Sequence, residues 1–337
     1  MKKLTALTMA ALMGVSLLSF GTASMAEEET KVDLTGFGED WEYTDVGEKV
    51  VGIVPWSMAQ EFNSTCAETC KRLCEQLGWN ATIYDPDADW TQMQSIIEDL
   101  IVQGVDGIIF TAIDTEAASA VVDACHEAGI AIVDYDCCAA AGNADMDVVY
   151  DDHLGGEMAA ELLMEALEGK EDATIIVYEA EPSIQTSGLR NEGFLDYMEE
   201  NYPDVTIVQN RTTDRTSDGF YQWATDMYTA YPEVDGFFLN QGDLATSTWY
   251  ALDAVGADDV YIVGYDATSS HHQIMLDDGS ESNFYASIGM IPEEYARVCV
   301  EKLNEIWAGT YERKGPDDKI VMTPIPLLAS EAEEWQY

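Results

Sequence analysis

From Lys49 onward the chain alternates between two hydrophobic periods. Short, continuously apolar, β-branched runs recur at 50–54, 79–84, 107–111, 130–134, 174–178, 205–208, 236–239, 261–263 and 284–288. Between them the spacing is helical: 60–77 is one such stretch, and Met93, Ile96, Ile97, Leu100 and Ile101 fall at i, i+3, i+4, i+7 and i+8. Strands that are apolar along their whole length, separated by helices, predict parallel sheets covered on both faces.

The pattern also repeats. Val105-Asp106-Gly107-Ile108-Ile109-Phe110 returns 129 residues later as Val234-Asp235-Gly236-Phe237-Phe238-Leu239, and Ile132-Val133-Asp134-Tyr135-Asp136 returns at an offset of 130 as Ile262-Val263-Gly264-Tyr265-Asp266. Two successive strands recurring in one order and spacing imply an α/β protein of two similar Rossmann-like lobes. In open parallel sheets ligands sit beyond the carboxyl ends of strands, where Asp136 and Asp266 fall. If the lobes face each other, the two carboxylates line one cleft.

Composition narrows the setting. Lys2 and Lys3 precede an apolar run from Leu4 to about Phe20, then Ser24-Met25-Ala26, which reads as a secretory signal peptide over 1–26 cleaved before Glu27. No lipid-anchoring cysteine follows it, and no later run is long and apolar enough to span a membrane, so an exported, periplasmic chain is expected. Residues 27–47 are acidic and aperiodic, a tail or linker. Fifteen basic residues stand against 64 acidic ones, a formal charge of −49; the leader takes two lysines and no acid with it, leaving −51. Such a surface repels a phosphate backbone and excludes nucleic acid as partner. An acidic coat keeps an exported protein soluble, or its field gathers cationic ligands.

Several groups invite chemistry. Seven cysteines is an odd number for an exported chain, so at least one is free or pairs with another molecule. Cys66, Cys70 and Cys74 share one helical face, where three thiols on a straight helix cannot converge on a metal; they read as small buried apolar residues. Asp85, Asp87 and Asp89 resemble the start of a calcium loop, but Trp90 stands where a glycine is needed and Ile96 where a bidentate glutamate belongs, so helix capping is the better reading. His271 and His272 read as surface residues near a cleft rim. No metal and no cofactor is called for.

The signatures G-x-S-x-G, G-x-G-x-x-G, H-E-x-x-H and a Walker-type loop are all missing. An exported enzyme using Asp136 and Asp266 as an acid/base pair, with Cys137 as nucleophile, stays open as an alternative. Binding asks for less: a neutral polyol needs carboxylates to accept from its hydroxyls, an arginine or amide to donate, and an aromatic face. Asp136 and Asp266, Arg190 at the opening of the mid-chain helix, Asn240 and Gln241 after a strand, and Trp56 and Phe62 around the first strand-to-helix turn supply them.

Residues 99–109 (DLIVQGVDGII), Ala128-Gly129-Ile130 leading to Asp136, the Leu154-Gly155-Gly156 helix start, Arg190 before Glu192-Gly193-Phe194, and Val263-Gly264-Tyr265-Asp266 together resemble the type I periplasmic sugar-binding family, over about 49–328. That family includes ribose-binding proteins and the sensor domains of lactose-type repressors; the repressor branch is rejected because a leader stands where the DNA-binding headpiece would be. The resemblance implies two lobes joined by a three-crossover hinge, with crossings near Asp151, near Gly289 and at 316–319. The N-terminal lobe then spans 48–150 plus 289–318, and the C-terminal lobe 151–288 plus 319–330.

The same resemblance implies a monomer that closes on a sugar or polyol and hands it to the permease of an ABC importer, or presents itself to a chemoreceptor or sensor. Asp136 matches the hydroxyl-accepting aspartate, Arg190 the donor, Asp266 the second aspartate and Phe62 a stacking aromatic. Departures stand beside these matches. Cys137 replaces an arginine, Gln241 an asparagine and Met290 a glutamine, and the second aromatic, due near Thr213 or Asp214, is missing unless Trp56 supplies it. An unmatched buried hydroxyl costs about 1 to 3 kcal/mol, so ribose itself is a poor ligand on this reading. Asp136 and Arg190 are read as loop residues at the cleft, and Cys138 as packed behind it.

Overall fold

A computed structural model of the chain describes residues 34–182, 184–280 and 282–335; the expected leader and the start of the acidic linker lie outside the described residues. In the first lobe the chain runs β1 (Val50–Val54), α1 (Glu61–Gln76), β2 (Asn80–Ile83), α2 (Trp90–Gln103), β3 (Gly107–Phe110), α3 (Thr115–Glu127), β4 (Ala131–Tyr135) and β5 (Met146–Tyr150). The second holds α4 (Asp152–Ala166), β6 (Thr174–Tyr178), α5 (Gln185–Asn201), β7 (Thr206–Asn210), α6 (Ser217–Ala230), β8 (Gly236–Phe238), α7 (Gly242–Asp253), β9 (Tyr261–Tyr265), α8 (Ser269–Asp278) and β10 (Phe284–Gly289). The chain then returns through α9 (Pro292–Ala308) and β11 (Ile320–Met322) to the first sheet and ends with β12 (Ile325–Leu328) on the second.

Strand order is β2-β1-β3-β4-β5-β11 in one sheet and β7-β6-β8-β9-β10-β12 in the other, parallel throughout except for antiparallel β12. The five leading strands of each sheet thus follow the same 2-1-3-4-5 order, the doubly wound arrangement that the internal repeat implied. Both sheets bury apolar side chains on each face, with separate cores around Ile97, Leu100, Ile108 and Ile132 and around Phe220, Trp223, Phe237 and Ile262.

Three segments pass between the sheets, at Asp151, at 290–291 and at 323–324. The last lies beyond the expected 316–319. β11 pairs with β5, Ile320 opposite Val148 and Met322 opposite Tyr150, so 319–322 belong to the first sheet. Arg313 holds the approach there by donating to Asp147 Oδ1 at 2.8 Å and to the carbonyls of Gly315 and Pro316. Tyr150 and Tyr295 tie the crossings together: the Tyr295 hydroxyl is 3.2 Å from the Tyr150 amide, and the Ile291 amide donates to the Tyr150 hydroxyl at 3.1 Å.

The described part of the acidic segment is irregular but not a free tail. Gly38 N donates to Glu301 at 2.7 Å, and Thr44 exchanges two hydrogen bonds with the Asn304 side chain, which lays 38–44 along α9. All seven cysteines are buried and unpaired. Cys66, Cys70 and Cys74 face inward along α1, where small side chains let α1 approach α9, with Cys70 Sγ 3.9 Å from the Ala296 carbonyl. Asp89 caps α2 by accepting from Gln92 N at 2.9 Å, as the capping reading expects, while Asp85 instead accepts from Met58 N and Asp87 N.

β5 escaped the apolar-run reading because Asp147 interrupts it. Asp147 stands opposite Asp134 in the β4–β5 register, both are buried, and Cys138 lies within 4.8 Å of them. Arg313 meets the charge of Asp147. Burial, then contact with Asp147, raises the pKa of Asp134, whose Oδ2 accepts from Ala139 N at 2.8 Å. The folded state therefore holds a proton that the unfolded state releases near the ordinary carboxylate pKa, so this group's stabilisation is complete below that value and lost as pH rises toward the folded pKa. Asp134→Asn, which mimics the protonated acid, is expected to match or exceed wild-type stability at pH 7.5 and to flatten the decline in stability above pH 4. Urea titrations at several pH values check this; a loss beyond ~1 kcal/mol at pH 7.5 would contradict it.

Candidate functional site

Asp136 and Asp266 end their strands in the same conformation. Each has positive φ, 61° at Asp136 and 80° at Asp266, a region that costs a non-glycine residue energy and that persists where surrounding structure enforces it. The repeated Tyr-Asp therefore marks two equivalent, strained turns, one per lobe, both aimed at the same place. Between them lies Arg190. Its Nη1 is 3.3 Å from Asp266 Oδ1, its Nη2 is 3.7 Å from Asp136 Oδ1, and its Nε donates to Asp152 Oδ1 at 2.8 Å.

Arg190 is not a loop residue at the start of its helix. It occupies the second turn of α5, with only 4% of its side chain exposed. Its guanidinium stacks over the Tyr265 ring at 4.0 Å and donates to the Asn240 carbonyl at 2.9 Å. Burial alone would lower its pKa, but Asp152, Asp266, Tyr265 and Asp136 outweigh it and hold the charge in place. Burial pushes the Asp136 carboxyl up to about 7 against the pull of Arg190, helped by Asp152 and Asp266. Asp136 Oδ1 is buried with no hydrogen-bond partner.

Above this floor an open cleft lies between the lobes, lined by residues of both. Five expected residues reach its surroundings directly: Trp56, Phe62 and Cys137 from the first lobe, Gln241 and Asp266 from the second. Asp136 and Arg190 form the floor beneath. Asn240 and Met290 do not reach the cleft. The Asn240 amide is spent on the Tyr178 carbonyl at 3.1 Å and on Asn191 at 2.8 Å, and Met290 is buried with its sulfur 3.2 Å from Arg190 Nη2. Phe62 is largely buried and meets Tyr295 edge-on, 5.8 Å between centroids.

Sequence reasoning missed Thr186, Arg215, Asp243 and Thr268, all of which line the cleft. Arg215 stands beside Thr213 and Asp214, where the resemblance implies an aromatic, and donates to Gln241 Oε1 at 2.7 Å. Asp243 opens α7, two residues past Gln241; burial, then Asp266 and Glu61, push its carboxyl up to about 6. Cys137 Sγ meets Thr186 Oγ1 across the lobes at 3.4 Å. Burial, then Asp136, raises the Cys137 thiol well above its ordinary pKa and favours its neutral form.

The lobes also touch at the rim. Glu61 of α1 accepts from the Ser269 amide and the Ser270 hydroxyl, both at 2.9 Å, and from the Ser269 hydroxyl. A carboxylate from one lobe thereby caps the amino end of α8 in the other, where the helix dipole favours negative charge. His271 is not a surface residue: it is fully buried, its ring bridging Ser287 Oγ at 2.9 Å and the Gly242 carbonyl at 3.0 Å, and burial lowers its pKa. Those contacts fix the turn that carries Asp243.

Two doubly wound lobes, three crossings and a polar cleft over a buried charged floor define a bilobal solute-binding protein. Residues 51–310 match the family described as periplasmic binding protein domain, and the chain belongs to that family, with the type I architecture. It is similar to the ribose import binding protein of Bacillus subtilis (strain 168), 24% identical over 267 residues, 79% of this chain and 84% of that protein. Among solved structures it is similar to a solute-binding protein of an ABC transporter from Burkholderia graminis in complex with D-arabinose, TM-score 0.78 at 17% identity, covering 87% of this chain and 100% of that one. Another, from Bacillus halodurans C-125 with bound myo-inositol, has TM-score 0.75 at 21% identity and covers 86% of this chain and 97% of that one.

Proposed function

We propose that this chain is an exported, monomeric solute-binding protein that captures a monosaccharide, polyol or related small molecule between its lobes and delivers it to an ABC-type importer, without chemistry of its own. The observation that carries this reading is the pair of matched aspartates, both held at positive φ and both turned toward one buried guanidinium between the lobes. Carboxylates accept from hydroxyl groups, Arg215, Gln241 and Thr186 offer polar contacts, and Trp56 offers an aromatic face. The relatives named for ribose, D-arabinose and myo-inositol support the ligand class. Cys137, which lines the cleft where the resemblance places an arginine, offers no strong donor, so ribose is expected to bind poorly.

The three short crossings support a hinge, on which the Glu61 cap and the Cys137–Thr186 contact form as the lobes meet. Calorimetric titration against pentoses, hexoses, deoxysugars and polyols is expected to yield binding, with ligand recovered unchanged after denaturation. Asp136→Ala should weaken that binding at least tenfold, about 1.4 kcal/mol. Recovery of a product instead of the ligand, or unaltered affinity in Asp136→Ala, would reject the reading.

A further inference from the structure

The cleft is short of positive charge. Glu61, Asp243 and Asp266 line it and Asp136 forms its floor, against Arg215 at the wall and Arg190 beneath. Arg190 is already committed to Asp152, which is 3% exposed behind it. Arg215 is engaged by Gln241. A second opening of the same cleft shares Glu61, Phe62, Asp266 and Thr268 and adds Glu293, whose Oε2 is buried without a hydrogen-bond partner. Asp243 has burial and two neighbouring carboxylates, and among the described residues no salt bridge pairs it with a cation. Cys137, held as a neutral thiol, adds no charge to the wall. Burial is the first cause of the raised pKa of Asp136 and Asp243; the neighbouring carboxylates, Asp152 and Asp266 at Asp136 and Asp266 and Glu61 at Asp243, add to it, and it is this crowding of like charge that an added cation would relieve.

From the geometry we infer that the preferred ligand is a hydroxylated amine, such as an amino sugar or amino polyol, whose ammonium group meets Asp243 and the cleft carboxylates while its hydroxyls face Asp136 and Asp266. This rests on the binding function proposed above and deepens it. A neutral polyol leaves Asp243 without a cation; an ammonium donates to it directly and can lie against the Trp56 face, a favourable place for a cation. The acidic surface of the chain adds long-range attraction for such a ligand.

The test uses matched pairs, D-glucose with 2-amino-2-deoxy-D-glucose and D-sorbitol with 1-amino-1-deoxy-D-sorbitol, titrated into the full-length mature protein by calorimetry at pH 7.5 in low salt. In at least one pair the amine is expected to bind tenfold or more tightly than its neutral partner, and Asp243→Asn is expected to reduce that ratio at least threefold while leaving the melting temperature of the free protein within 2 °C, about the shift that 1 kcal/mol produces in a large domain. Glu293→Gln provides a second variant at the other opening. Neutral members binding as tightly as the amines would overturn the inference and leave the carbohydrate reading standing. Failure of every amine and every neutral sugar or polyol would overturn both.

Discussion

Gly193→Ala is expected to destabilise the protein by at least ~3 kcal/mol, at or beyond the upper end of ordinary overpacking, because no side chain can move aside to relieve it. A Cβ at Gly193 would stand 1.9 Å from the His153 carbonyl oxygen and 2.8 Å from its carbon. Across the same crossing, a Cβ at Gly156 would stand 2.0 Å from the Arg190 carbonyl oxygen. The α4 and α5 backbones thus meet through reciprocal glycines, and any larger residue forces the helices apart. Since α5 carries Thr186 and Arg190, the same displacement moves the cleft wall and floor. Gly188→Ala is the control on the same helix: its added Cβ meets nothing within 4 Å, and helix propensity favours it by roughly 0.5 to 1 kcal/mol. Chemical denaturation of both variants decides the matter. Equal stability of the two would remove close helix contact as the explanation.

Much of this architecture is legible in the chain because the physics is local or repeated. Continuous apolar runs give the parallel strands, and two copies of one strand pair give the two lobes. Asp136 and Asp266 stand out because strand ends in such sheets are where side chains escape the core. Less legible are features created by long-range contact. The run at β5 is broken by Asp147, tolerable only because Arg313, more than a hundred residues away, comes back to pair with it. β11 is three residues long and partly exposed, so its pairing with β5, not its composition, fixes the last crossing.

The site shows the same division. Residue type found a guanidinium and an amide, but depth was invisible. Asn240 has the chemistry of a ligand contact and spends it on Asn191 and Tyr178. His271, polar and next to a second histidine, looks like a surface residue until β10 and the α7 turn close over it. Asp243 gave no motif at all; its meaning comes from standing beside Asp266 in its own lobe and near Glu61 of the other.

Arg190→Met is expected to cost about 3 to 5 kcal/mol at pH 8, the range for removing one partner of a buried ion pair. Methionine fills much of the same volume, so the loss reports charge more than cavity. Asp152 and Asp136 then lose the cation that opposes their burial, and their pKa values rise further. The sign of the pH dependence follows: the folded variant binds protons that the unfolded chain releases near the ordinary carboxylate pKa, so its stability is greatest in acid and falls as pH rises through the raised folded values. The gap to wild type should therefore narrow between pH 8 and pH 5, a direction a simple packing defect does not produce. Arg190→Lys keeps one charge but not the fork that reaches Asp152, Asp266 and the Asn240 carbonyl together, and is expected to recover only part of the loss. Urea titrations of the three proteins across that range measure it. A deficit below 1 kcal/mol at pH 8, or one that does not change with pH, would mean that the aspartates do not depend on Arg190. The same guanidinium would then be a ligand contact alone, and Arg190→Met would lose affinity without losing stability. Because Arg190 bridges an aspartate from each lobe, its removal should instead lower both together, making the floor of the cleft also a fastening between the lobes.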